Sequence, residues 1–199
     1  MTYSDPFIDV YVERHREYLS WYIFQDVFTD KELDQIIEIG EEQFLFDGAV
    51  GGTDRVQRKI VRDSTVGFIE YEDNYKWIFD RIASHVLDAN EQVWNFDLLG
   101  FGDGLQYTKY YGGGGHYDWH TDVGMTVPHR KLSMVMQLSD DLEYEGGELQ
   151  FNVGHEIVEV PKVRGTLVIF PTFLLHRVVP VTSGVRKSLV SWISGPNFR

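Results

Sequence analysis

The chain has no cysteine in its 199 residues. Disulfides, thiolate zinc sites and iron–sulfur clusters are thereby excluded, and any metal must be held by histidine and carboxylate. Positive charge is also scarce: 18 Lys and Arg face 31 Asp and Glu, for a formal charge of -13. Affinity for nucleic acid rests largely on lysine and arginine neutralising phosphates, so a nucleic-acid partner is not expected. An acidic surface instead favours a neutral or cationic substrate. No apolar run approaches the roughly 20 residues needed to span a bilayer. The first twenty residues mix Asp5, Asp9, Glu13, Arg14 and Arg16 with apolar ones. That order suits neither a membrane segment nor a signal peptide, and the cytoplasm is the expected location. Repeats, low-complexity tracts and linkers are missing too. The length then suits one domain over 1–199 with a substantial core, and nothing in the pattern sets an oligomeric state.

What the chain does have is histidine close to carboxylate. In a strand, residues two apart point to the same side, so His120 and Asp122 can reach one ion from a single extended segment. His176 would join them from a distant segment. Two imidazoles and one carboxylate leave adjacent positions of a metal open, which is the ligand set of non-heme Fe(II) oxygenases. An H-x-D pair by itself is as often a solvated turn, and His116 with Asp118 forms a second such pair. In a regular strand 116, 118, 120 and 122 would all face one way, yet only one pair can hold the ion. The glycine run Gly112 to Gly115 favours a loop at His116, placing that residue at an entrance.

The surroundings are more specific. Tyr110-Tyr111 and the four glycines lead to Tyr117 and His120. Gly146-Gly147-Glu148-Leu149 and the strand-like Gly165 to Pro171 follow, then His176-Arg177-Val178 and Gly184-Val185-Arg186-Lys187-Ser188. From about Leu105 to Trp192 this series resembles the prolyl 4-hydroxylase-like branch of the Fe(II)/2-oxoglutarate dioxygenases, PKHD-type hydroxylases included. The resemblance implies that His120, Asp122 and His176 bind Fe(II), that Arg186 binds the distal carboxylate of 2-oxoglutarate, and that Ser188 assists it. A tyrosine lining the cosubstrate pocket falls on Tyr111 when counted back from His120, or on Tyr110 if one more residue intervenes. The second H-x-D pair is the one that aligns with the tyrosine and glycine pattern.

The same resemblance implies a hydroxylase that couples decarboxylation of 2-oxoglutarate to succinate with hydroxylation of a C–H bond, with ascorbate as a reductant. A carboxylate at Asp122 favours hydroxylation, since related halogenases replace it. The substrate expected is a prolyl residue in a peptide or protein. The alternatives are a free amino acid or other small molecule, an AlkB-like nucleic-acid demethylase disfavoured by the charge, and a non-catalytic cupin-like metal-binding protein. Candidate substrate residues are Tyr117 and Trp119 beside the metal motif, Trp192, and Arg62 in the basic stretch Gly51 to Arg62. That stretch and Gly112 to Gly115 are expected as loops bordering the mouth.

The expected fold class is α+β, mainly β. Short strands near 105–111, 131–138, 148–152, 157–160, 165–170, 176–181 and 186–193 are punctuated by Gly and Pro, which suggests a sandwich or barrel. The resemblance makes it a double-stranded β-helix, the cupin-like jelly roll, with residues 101–199 as the catalytic barrel core and 1–100 as mainly helical support. Thr29 with Glu32 reads as a capping box, and Phe28 with Leu33 as a hydrophobic staple. Leu33, Ile36, Ile37 and Gly40 trace one helical face, and a second helix is expected from about Asn74 to Asn90. The last two strands read as a hairpin turning at Ser183-Gly184. Alternation puts Arg186, Ser188, Val190 and Trp192 on one face, with Leu189 and Ile193 on the other.

Overall fold

Alternation along the strands sorts side chains into two cores, and the two cores define the architecture. The structure, a computed structural model, describes residues 20–48 and 59–198. In chain order its strands are β1 (Tyr22–Phe24), β2 (Phe46–Asp47), β3 (Arg62–Asp63), β4 (Thr65–Ile69), β5 (Gly100–Phe101), β6 (Leu105–Tyr111), β7 (Gly115–His120), β8 (Arg130–Gln137), β9 (Tyr144–Gly146), β10 (Leu149–Asn152), β11 (Ile157–Glu159), β12 (Leu167–Pro171) and β13 (His176–Ser194). Helix α1 (Asp30–Glu42) follows β1, and helix α2 (Lys76–Ala89) runs into a π-helical turn at Asn90–Trp94.

The larger sheet has the order β1-β12-β8-β13-β6-β4-β2. In the smaller one the first half of β13 lies against β10, β9 and β7, with β11 beyond β10 and β3 beyond β7. All pairings are antiparallel, giving a mainly β architecture with few helices. On β8, Leu132, Met134 and Met136 face the helices, joining Leu33, Ile36 and Ile82 in one core. Val135, between them in sequence, joins Phe151, Phe170 and Val178 in the second core, between the sheets. β12 divides the same way, Leu167 and Ile169 outward, Val168 and Phe170 inward.

Helix α1 begins where the capping box was expected. Thr29 Oγ1 accepts from Glu32 N, and Glu32 accepts from Thr29 N at 2.8 Å. Phe28 and Leu33 are both buried in the helix-side core. The bond to the Thr29 backbone, working against a smaller burial effect, lowers the Glu32 carboxyl from its ordinary value.

Three expectations need correction. The part before residue 100 is more than helical support, because β1 to β4 build into both sheets. These segments are short, two to five residues, so they offered too few positions for a period-2 pattern to register. The last two strands are not a hairpin. β13 is one strand of 19 residues that leaves the smaller sheet and enters the larger one. Gly184 sits at the crossing with φ +74°, and a Cβ there would lie 2.0 Å from Glu143 O, so only glycine permits this bend. Gly112 to Gly115 are not a free loop either. The amides of Gly112, Gly113 and Gly114 donate to Gly184 O, Thr182 O and Val181 O, pinning the β6–β7 turn onto β13. Of the basic stretch, Gly51, Gly52, Arg55 and Arg58 lie outside the described residues.

Candidate metal centre

Regular alternation would have left the two H-x-D pairs equivalent; an irregularity in β7 separates them. Val178 pairs with Tyr117 and His176 with His120, so two steps along β13 match three along β7. Such a bulge reverses facing. Tyr117 and His120, three apart, therefore share a face and stack, with ring centroids 3.5 Å apart. His116 turns away and is held by Gly114 O and Ile60 O, while Asp118 is exposed.

His120, Asp122 and His176 converge, with ligand atoms all within 4.8 Å of one another. His176 Nε2 lies 3.4 Å from Asp122 Oδ2, and His120 Nε2 3.7 Å from Oδ1. Each imidazole is oriented by a carbonyl, which can only accept. Nδ1 of His120 donates to Asp118 O at 2.7 Å and Nδ1 of His176 to Leu174 O at 2.8 Å, leaving both Nε2 lone pairs aimed at the common point. Asp122 is fixed by its own amide, which donates to Thr172 O, and by the Ser133 hydroxyl, which donates to its carboxylate at 2.6 Å. Burial, then the neighbouring His176, pushes His120 down to about 4, so it is a neutral ligand at neutral pH. Burial alone would raise the Asp122 carboxyl, but the two imidazoles and Ser133 outweigh it and keep the group ionised. A neutral His pair with one carboxylate and open space on one side fits a divalent metal with exchangeable positions.

That space is a cavity of about 460 Å³ between the sheets. At its inner end lies Arg186, only 1% exposed. Its guanidinium donates to Gln137 Oε1 at 2.9 Å and to Ser188 Oγ at 3.4 Å, while Nε has no partner. Among the described residues no carboxylate forms an ion pair with it. Gly147 makes room for it, since a Cβ there would stand 3.0 Å from Arg186 Cδ. A buried cation without a counter-ion is costly, by several kcal/mol before relaxation is complete. An anionic ligand that brings a carboxylate to this fork would complete it, so the residues present fit 2-oxoglutarate.

The tyrosine register is decided by strand pairing. Tyr110 is the cross-strand partner of Arg186, so both face the cavity, and Arg186 lies 5.5 Å from the Tyr110 ring centre. Tyr111 points outward, 44% exposed, beneath Lys109. Ser188, Tyr117, Trp192 and Arg62 also line the cavity. Trp119 does not; it packs over Arg177 on the outer face, 4.6 Å from the guanidinium carbon. The sequence reading missed Ser133 and Gln137, although both are polar positions on the alternate face of the apolar stretch Leu132 to Met136. It also missed Phe46, Phe68 and the Arg130–Asp103 pair at 2.6 Å, all at the cavity and remote from the motifs.

Comparison with known proteins points the same way. A PKHD-type hydroxylase of Synechococcus sp. (strain CC9311) is 40% identical over 80 residues, 40% of this chain and 36% of that protein. A PKHD-type hydroxylase of Prochlorococcus marinus is 34% identical over 122 residues, 61% of this chain and 52% of that protein. The chain thus spans about half or less of the length of these relatives. Among solved structures, a Pseudomonas putida prolyl-4-hydroxylase superposes with a TM-score of 0.70 at 19% identity, over 88% of this chain and 92% of the other. A prolyl hydroxylase from Trichoplax adhaerens, in complex with a hypoxia-inducible factor peptide fragment, gives 0.74 at 16% identity, over 96% and 94%. These likenesses establish the double-stranded β-helix fold. Residues 105–194, which carry the triad and the buried arginine, match the family described as the 2OG-Fe(II) oxygenase superfamily.

Proposed function

We propose that this chain is an Fe(II)- and 2-oxoglutarate-dependent hydroxylase acting on prolyl residues of a peptide or protein. The observation that carries the reading is the pairing, in one cavity, of a His–Asp–His triad with a buried arginine that has no counter-ion among the described residues. His120 and His176 hold the metal through Nε2 and Asp122 through its carboxylate. Arg186, with Ser188, takes the distal carboxylate of 2-oxoglutarate, and Tyr110 flanks it. Iron bound there supplies the coupling of 2-oxoglutarate decarboxylation to oxygen activation. Ascorbate keeps the metal reduced between turnovers.

The prolyl choice is supported by the motif resemblance and by the prolyl hydroxylases that share the fold. An open, aromatic cavity mouth adds to it. Phe46 and Phe68 line the mouth with ring centroids 6.2 Å apart, and Phe44, 85% exposed, continues the row. Flat aromatic faces suit a proline ring in an extended chain. The test is succinate release on adding Fe(II), 2-oxoglutarate and ascorbate, followed by mass spectrometry of a proline-containing peptide library. Addition of one oxygen atom to proline is the expected outcome. Succinate release without peptide oxidation in any proline context would discard the prolyl reading, and no succinate at all would discard the enzyme.

A further inference from the structure

Arg186 is not the only buried cation in the cavity. Arg62, on β3, is 7% exposed and lines the same space from the smaller sheet. β3 pairs with β7 so that Arg62 is the partner of Tyr117. Its guanidinium carbon lies 4.7 Å from the Tyr117 ring centre, and Tyr117 stacks on His120. One phenol ring thus separates this positive charge from a metal-ligating imidazole.

Among the described residues, three acids near Arg62 are engaged elsewhere. Asp63 turns to Lys59, Asp103 to Arg130, and Asp122 to the two histidines. Arg62 Nε donates to Ser64 Oγ at 2.8 Å, and among the described residues no acceptor meets its terminal nitrogens. A buried planar guanidinium whose terminal donors meet no acceptor among the described residues is built to grip a carboxylate. The inner anchor, Arg186, sits on the larger sheet and Arg62 on the smaller, so the two flank the triad from opposite walls.

We propose that Arg62 is a second carboxylate anchor, and that the substrate carries a carboxylate close to the carbon that reacts. This rests on the hydroxylase reading for the reaction but concerns binding. The carboxylate could be that of a free amino acid or of the C-terminal residue of a peptide, and the net charge of -13 makes such a choice one that the local site must impose against the surface field.

The test separates the two sources and does not need turnover. Protein loaded with Zn(II), which has no redox chemistry, and with 2-oxoglutarate is titrated calorimetrically with free amino acids, proline among them, each as the acid and as its carboxamide. A second arm uses short peptides ending in the same residues, again as acid and amide. At least about tenfold tighter binding of the acid in either arm is expected, a difference typical of one charge-assisted contact, and the arm that shows it names the source. R62Q should erase that preference with 2-oxoglutarate affinity unchanged, and R62K should keep part of it. Equal binding of acid and amide by the wild type in both arms, no binding of either, or an R62Q protein that retains the preference would each overturn the proposal. The wild-type comparison needs no variant to fold, and absence of succinate in the iron assay would strike the hydroxylase reading separately.

Discussion

The two ends of the cavity are finished to different degrees. At the metal end every ligand has a partner that orients it: Asp118 O and Leu174 O for the imidazoles, Ser133 and the Thr172 carbonyl for Asp122. At the arginine end the guanidinium has Gln137 and Ser188, a bare Nε, and no carboxylate among the described residues. One end is organised by the protein alone and the other is left for a ligand to complete. The physical contrast is that neutral imidazoles can be satisfied by carbonyls, whereas a buried cation needs opposite charge.

The sharpest way to break this comparison is Asp122→Ala. Removing the only carboxylate of the triad should abolish turnover and the thermal stabilisation that a divalent metal confers; wild-type protein should gain about 2.7 kcal/mol at a metal concentration of 100 Kd. Metal-induced stabilisation that survives in the variant would remove Asp122 from the site. Arg186→Met comes next. It should weaken 2-oxoglutarate by about 2–5 kcal/mol while leaving metal binding in place. Without ligand the variant should be as stable as the wild type or more so, because a buried cation with no counter-ion among the described residues is replaced by an apolar side chain. A strongly destabilised apo variant would show that the arginine end is as self-sufficient as the metal end.

Ser133→Ala sharpens the metal side. Losing the hydroxyl that orients Asp122 should cost about 10- to 100-fold in metal affinity, with 2-oxoglutarate binding to the metal-saturated protein little changed. An unaltered metal titration would mean that the Thr172 contact suffices. The smallest effect belongs outside both ends. Thr29→Ala removes the cap of α1 and should lower unfolding free energy by about 1 kcal/mol without moving either affinity. A change in ligand affinity there would mean that the helix layer and the cavity are not independent.

Much of the fold could be read from spacing because the larger sheet is regular. Arg186, Ser188, Val190 and Trp192 face the cavity, and Leu189 and Ile193 the helix side, as strict alternation requires. The capping box was legible for a similar reason: Thr29 and Glu32 are three residues apart and bond to each other. The short strands β1 to β4 were not, since what stabilises them is pairing with distant strands. Arg62 shows the limit for single side chains. Its position in a basic stretch gave no hint that it would be buried against Tyr117, which lies 55 residues on in sequence and adjacent in the sheet.

By itself the sequence determined the chemistry available. It held no thiol, two histidines and an aspartate in a recognisable order, an arginine and serine at fixed spacing beyond them, and enough alternating apolar residues for two cores. Tertiary structure alone decided which of the equivalent candidates met. The β7 bulge chose His120 and Asp122 over His116 and Asp118, and the β6–β13 register chose Tyr110 over Tyr111 for the cavity. The bend at Gly184 let one continuous strand deliver both His176 and Arg186. The reason is that side-chain type is a local property, whereas facing depends on register against distant strands, and one residue left unpaired in that register reverses it.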